Sequence, residues 1–275
     1  MKKIHTWGLM ALMALVPAHM AAQGKAPNNP VRSTTTTTTT TTSMPTVVRN
    51  LLNNDMVFVA GGTFTMGATD DQGSSGIDSD ERPTHRVTLS SYYLCKYEVT
   101  QELYRAVMGS NPSHFSGSRK PVEMVSYYDC LEFCRKLSQM TGKKFRLPTE
   151  AEWEFAARGG NKSRHYMYSG ADQMGPVAWW YDNSNGTTHD VGTKRANELG
   201  LYDMSGNVYE WCADWHGTYP SYSVTDPTGP TSGSKRIQRG SCYNGQYLRT
   251  ADRASYAPDT KDQYTGFRVV MEYYN

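Results

Sequence analysis

Arg146-Leu147-Pro148-Thr149-Glu150-Ala151-Glu152-Trp153-Glu154 and Gly200-Leu201-Tyr202-Asp203-Met204-Ser205-Gly206-Asn207-Val208-Tyr209-Glu210-Trp211 are the two stretches whose reading decides the fold. In the first, Pro148 precedes Thr149, whose hydroxyl can cap the backbone N–H of Glu152 while the Glu152 carboxylate reaches back. That capping box predicts a helix start, and Gly159-Gly160 supplies its stop. In the second, two carboxylates seven residues apart bracket a Gly-Asn turn.

Two more helices can be placed outward from this centre. One begins with Thr100 as N-cap and stops at Gly109; the other begins at Ser126, with Asp129 three residues on, and carries Cys130, Cys134 and Leu137 on one face. Upstream, Met56-Val57-Phe58-Val59 and Gly61-Gly62-Thr63-Phe64-Thr65-Met66-Gly67 read as two short strands joined at a glycine turn, with Phe64 and Met66 on one face. The stretch from His85 to Glu98 alternates around Val87, Leu89, Tyr93 and Cys95. From Tyr166 onward no long periodic segment remains, so loops with short strands are expected, ending in the strand-like run Gly266 to Tyr273.

Composition agrees with an irregular domain. The 275 residues include 19 Tyr, 24 Gly and 6 Trp, and the mean hydropathy is −0.63. Turns and loops packed around aromatic rings suit that mixture better than extensive regular structure. The formal net charge of +2 is spread thinly, and no Lys/Arg block offers a counterion-releasing face, which argues against a nucleic-acid partner.

The beginning of the chain reads as an address. Lys2 and Lys3, the apolar run Trp7 to Val16 and the small pair Ala21-Ala22 match a secretory signal peptide over residues 1–22, with export to the periplasm, cell surface or medium. The apolar run is too short to cross a bilayer, which takes about 20 residues, and no other transmembrane segment is expected. Residues 23–52, around the Thr34 to Thr42 run, read as a disordered Thr-rich linker, leaving 53–275 as the folded domain. Five cysteines (Cys95, Cys130, Cys134, Cys212, Cys242) give neither a zinc signature nor a dense disulfide framework.

In order and over nearly the whole domain, these blocks resemble the formylglycine-generating enzyme, or sulfatase-modifying factor, family. The carriers are Gly61-Gly62-x-Phe64-x-Met66-Gly67, Glu81-x-Pro83-x-His85-x-Val87, Glu98-Val99-Thr100, Val125-Ser126-Tyr127, the two opening stretches, and Gly266-Phe267-Arg268. The resemblance implies a single α+β domain of the formylglycine-generating-enzyme-like, C-type-lectin-related fold with little regular secondary structure. The family holds oxidases, iron-dependent sulfoxide synthases, secretion components and ligand-binding proteins, so the site must decide the function.

In the family's oxidases two cysteines five residues apart bind copper and exchange with the substrate thiol. Matching Ser241 to the family serine puts those positions on Asn244 and Arg249; matching Cys242 instead puts them on Gly245 and Thr250. Neither register supplies a second thiol, so Cys242 is the only catalytic candidate, and copper is not expected because copper(I) needs paired soft ligands. The mature histidines His85, His114, His165, His189 and His216 are scattered, which does not suit a three-histidine iron site. His85 reads as a core or turn residue.

The resemblance also implies calcium at Asp203, Gly206, Val208 and Glu210, where side-chain and turn oxygens would converge on a hard cation. A second reading pairs Glu210 with an arginine such as Arg253 or Arg268 and leaves Asp203 to cap a turn. A second calcium site near Asn183 and Ser184 lacks a matched carboxylate. Arg249, Arg253 and Arg268 read as ties between the C-terminal loop and buried carboxylates.

That loop carries Tyr243, Asn244, Tyr247, Asp252, Tyr256 and Tyr264, a mixture of rigid rings and adaptable polar groups suited to binding. It is similar to the variable proteins of diversity-generating retroelements, which use this fold as a binding scaffold; the alternative is ordinary loop residues in a Tyr-rich chain. Two functions are therefore expected to compete. One is an exported non-catalytic module for a protein or glycan ligand; the other is a formylglycine-generating-type oxidoreductase acting on a cysteine of a sulfatase or other protein.

Overall fold

The computed structural model describes residues 43–274, so the expected signal peptide and most of the expected linker lie outside the described residues. Four α-helices and eleven short strands follow in the order α1 (Thr46–Asn50), β1 (Met56–Val59), β2 (Gly62–Met66), β3 (His85–Leu89), β4 (Tyr92–Cys95), α2 (Gln101–Met108), α3 (Tyr127–Thr141), β5 (Phe145–Arg146), α4 (Glu150–Ala157), β6 (Tyr209–Trp215), β7 (Val224–Thr225), β8 (Arg236–Arg239), β9 (Arg253–Tyr256), β10 (Thr265–Gly266) and β11 (Val270–Glu272). Helices and sheets mix along the chain, and long loops join them, as an α+β domain of low regular content requires.

Local chemistry sets the helix ends. The hydroxyls of Thr100, Ser126 and Thr149 accept the N–H groups of Leu103, Asp129 and Glu152, each at 3.2 Å. Asp129 and Glu152 return the bond to the N–H of Ser126 and Thr149, each at 2.8 Å, which satisfies donors the first turn would leave orphaned. Gly109 and Gly142 close α2 and α3 in the left-handed conformation.

Three sheets result, ordered β1-β4-β11-β5, β10-β6-β8-β9 and β2-β3-β7. The strands on either side of Gly61-Gly62 do not pair with each other: β1 pairs antiparallel with β4, while β2 pairs antiparallel with β3. The glycines carry the chain from one sheet to the next, and a Cβ at Gly61 would stand 2.5 Å from the Leu89 carbonyl oxygen. The final strand β11 lies inside the first sheet, antiparallel to both β4 and β5.

The cores flank these sheets. One packs α2 and α3 (Leu103, Tyr104, Phe133, Leu137) against Trp211 and Phe267, with Tyr104 stacked on Phe133 at 5.5 Å. A second buries every residue of α4, with Trp153 and Phe155 among Tyr92, Leu94, Met204 and Ile237, and a smaller third gathers Ala171, Val177, Ala178 and Leu248. Each such large side chain contributes about 1.5–3 kcal/mol by leaving water. Val48 and Leu51 belong to the first core, so the folded unit starts before the expected boundary at residue 53. The apolar pair sits on α1 and the following π-turn, too short a periodic segment to stand out beside the threonine run. Among the described residues no helix is long and apolar enough to cross a membrane.

Candidate functional site

Two turns meet at the site. After β8 the chain passes through Gly240 at φ +88° and Ser241 at φ +63°. It closes on itself with the Gly245 N–H donating to the Cys242 carbonyl at 2.8 Å. A Cβ on Gly245 would stand 2.1 Å from the Ser241 Oγ and 3.1 Å from the Cys242 carbonyl oxygen, so a larger residue there would make the Ser241 side chain turn away. The turn after Met204 docks against it: Gly206 N–H donates to the Gly240 carbonyl at 2.7 Å and Tyr243 N–H to the Asn207 carbonyl at 2.8 Å.

Beside this junction lies a cavity of about 280 Å³ whose wall includes Tyr209, Gln238, Cys242, Asn244, Tyr256, Asp262 and Tyr264. Gln238 is fully buried, and its Oε1 has no hydrogen-bond partner among the described residues. Burial pushes the Cys242 thiol up to about 11, so it is protonated at neutral pH. All five cysteines are buried and unpaired.

The structure sorts the expected ligand-contacting residues. Asn244, Tyr256 and Tyr264 line the cavity. Tyr243 does not: it is buried, with its ring stacked on Tyr264 at 5.5 Å and edge-on to Phe115 at 5.4 Å. It supports the wall from behind. Tyr247 is exposed and packs over the loop at Gly76. Asp252 also points elsewhere, joining Asp78 and Glu81 in a carboxylate cluster next to Arg249. Tyr209 and Gln238 escaped the sequence reading because they arrive from β6 and β8 through strand pairing, and no local spacing announces that.

The arginines fasten the C-terminal segment to the framework. Arg249 Nη1 and Nη2 hold Glu81 at 2.6 Å each, and Arg253 holds Glu150 at 2.7 and 2.9 Å. Arg239, fully buried, reaches Glu154 at 2.6 Å and the carbonyls of Thr250 and Ala251.

The expected calcium set is not assembled as drawn. Glu210 gives both carboxylate oxygens to Arg268, at 2.6 and 2.7 Å, and accepts the Trp153 Nε1–H at 2.7 Å. Its charge is already answered, so it is withdrawn from the ligand set. Asp203 differs: Oδ2 accepts the Gly192 N–H at 2.7 Å, while the buried Oδ1 has no partner among the described residues. Burial pushes Asp203 up to about 6 and raises the fully buried Glu98 well above the usual carboxylate range, with Asp203 a further cause for Glu98. Glu98 accepts from Asn207 Nδ2 at 2.7 Å and from Val208 N–H at 3.1 Å. Asp203 thus keeps one buried oxygen open, whereas Glu98 spends both of its oxygens on Asn207 and Val208. Near the expected second site, Asn183 and Ser184 bond to neighbouring backbone instead. The histidines remain apart, His189 stacked on Trp179 and His85 tilted against Tyr219 at 4.9 Å between ring centroids.

Comparison with known proteins accords with this architecture. The chaperone protein LppX of Paenibacillus barcinonensis is 37% identical over 215 residues, covering 60% of this chain and 73% of LppX. The formylglycine-generating enzyme of Streptomyces coelicolor is 37% identical over 189 residues, 61% of this chain, and the match spans 56% of that enzyme's length. Among solved structures, Treponema denticola variable protein 1 superposes with a TM-score of 0.71 at 33% identity, covering 79% of this chain and 94% of its own. Residues 40–273 match the sulfatase-modifying factor enzyme 1-like domain, and the chain belongs to that family.

Proposed function

We propose that this protein is an exported, non-catalytic binding module that takes a protein or glycan ligand over the cavity beside Cys242. The observation that carries the reading is the wall itself: a buried acceptor without a partner on Gln238, rings from Tyr209, Tyr256 and Tyr264, and one thiol held protonated. If Ser241 is matched to the family serine, the positions of the copper-binding thiols are Asn244, which lines the cavity, and Arg249, which is spent on Glu81; if Cys242 is matched instead, they are Gly245 and Thr250, again without a thiol. The likeness to a variable protein and to a chaperone supports binding as the activity. Calcium belongs to the same reading, with Asp203 and Glu98 as the carboxylates that would hold it and offset buried negative charge.

The test has two arms. Glycan and protein arrays probed with the wild type should give specific binders that the Asn244→Ala/Tyr256→Ala double variant loses and Cys242→Ser retains. The likeness to the Streptomyces enzyme favours the oxidoreductase reading instead, and conversion of a cysteine-containing sulfatase peptide to its aldehyde, abolished in Cys242→Ser, would establish that reading.

A further inference from the structure

A second cavity, of about 520 Å³, lies along the segment from Gly217 to Pro230 and has no lining residue in common with the cavity at Cys242. The rings of Trp215, Tyr219 and Tyr222 contribute to its wall, as do the charged groups of Glu150, Asp214 and Arg253. Glu150 is fully answered: Arg253 pairs with both its oxygens and the Tyr219 hydroxyl donates to it at 3.0 Å. Asp214 is not answered. It is only 4% exposed, and its one hydrogen bond is from the Glu150 N–H to Oδ2 at 2.8 Å. Among the described residues no basic side chain pairs with it and Oδ1 accepts nothing. Gly229, which also borders the cavity, packs directly against this side chain: a Cβ on it would stand 2.9 Å from the Asp214 Cβ and 3.1 Å from that oxygen.

A buried carboxylate with no basic partner is costly. Its complement is a cation bearing N–H donors, and aromatic faces attract the same charge. Trp215 already carries Arg236 on one face, 3.5 Å from the ring centroid. We propose that this cavity is a site for a small organic cation, a primary ammonium on an apolar body, with the ammonium on Asp214 Oδ1 and the body against Tyr219 and Tyr222. The size suits a compact molecule, within the range of ordinary ligand pockets.

The groups around Asp214 set its ionisation. Burial, then Glu150 and Glu152 from α4, push its carboxyl up to about 7, while the Glu150 N–H and Arg253 on β9 pull it down. Burial lowers the pKa of His85, which also lines the cavity from β3. An arriving ammonium therefore meets a carboxylate above neutral pH and a neutral acid well below it.

Isothermal titration with benzylammonium and with its neutral analogue benzyl alcohol tests the site. Benzylammonium should bind at about pH 8.5, and at least roughly tenfold more weakly at about pH 5.5. It should bind roughly tenfold more weakly to Asp214→Asn, whose amide oxygen can still accept from the Glu150 N–H. Benzyl alcohol should not discriminate between wild type and variant. If Asp214→Asn does not fold, Tyr222→Ala at a 70% exposed position serves instead, and should weaken benzylammonium binding. Equal affinity for the two probes, no dependence on pH, or no binding of benzylammonium by the wild type would each overturn the proposal.

Discussion

The guanidinium of Arg268 meets the carboxylate of Glu210 edge to edge, Nε to Oε2 at 2.6 Å and Nη2 to Oε1 at 2.7 Å, with neither side chain exposed. The same guanidinium also donates to the carbonyls of Cys95 and Tyr202, so the pair ties β6 to the approach of β11 and to the end of β4. Removing one partner strands a buried charge. Glu210→Ala should therefore cost about 3–5 kcal/mol in urea unfolding, and the double replacement Glu210→Leu/Arg268→Leu should cost less than either single removal. Additive single costs would contradict this account of the pair.

With Glu210 committed, a calcium ion at this turn would have to be held by the neighbouring carboxylates. Asp203 and Glu98 are both buried, and the Asp203 Oδ1 lacks a partner. A cation that binds only the folded form raises the melting temperature. Adding calcium after EDTA treatment should raise it for the wild type and leave Asp203→Asn unmoved. An unchanged melting temperature in the wild type would remove calcium from the protein.

The helices, their caps and the arginine ties could be read in the sequence because each depends on neighbours a few residues away or on charges that must be answered once buried. Thr149 and Glu152 announce their bond by spacing alone. The cavity wall was only half legible. Asn244, Tyr256 and Tyr264 fall within one stretch of the sequence, whereas Tyr209 and Gln238 join them only because β6 pairs with β8. Tyr243 looked like a contact residue by type, but its backbone is held to Asn207, which turns the ring inward under Tyr264. The destination of Glu210 was an open choice between metal and arginine, and the buried position of Arg268 decides it.

Asp252 gives the domain a pH-dependent term. Burial lifts its carboxyl from an ordinary 3.8 to about 7, with Glu81 and Asp78 adding to the rise and Arg249 opposing it. The folded state then keeps a proton that the unfolded chain has released. Stability contributed by that proton is present below 3.8 and is lost as pH rises to about 7. Asp252→Asn should flatten the fall in urea midpoint between about pH 4 and about pH 7. It should also stabilise the protein at the upper end by on the order of 1–2 kcal/mol, allowing for the partial exposure of the side chain. A variant with the wild-type slope would show that Asp252 ionises normally.

The early start of the domain carries the last prediction. Leu51 is 2% exposed and Val48 wholly buried, both in the core of Leu103, Phe133 and Phe267. A chain shortened to begin at residue 53 would lose both side chains and expose the surface they cover. Leu51→Ala alone should cost about 2–5 kcal/mol, from lost burial plus the space left behind. The chain beginning at residue 53 should be less stable than one beginning at residue 43 by at least as much. Chemical unfolding of the two lengths and of Leu51→Ala measures all three. Equal midpoints for the two lengths would return residues 43–52 to the linker.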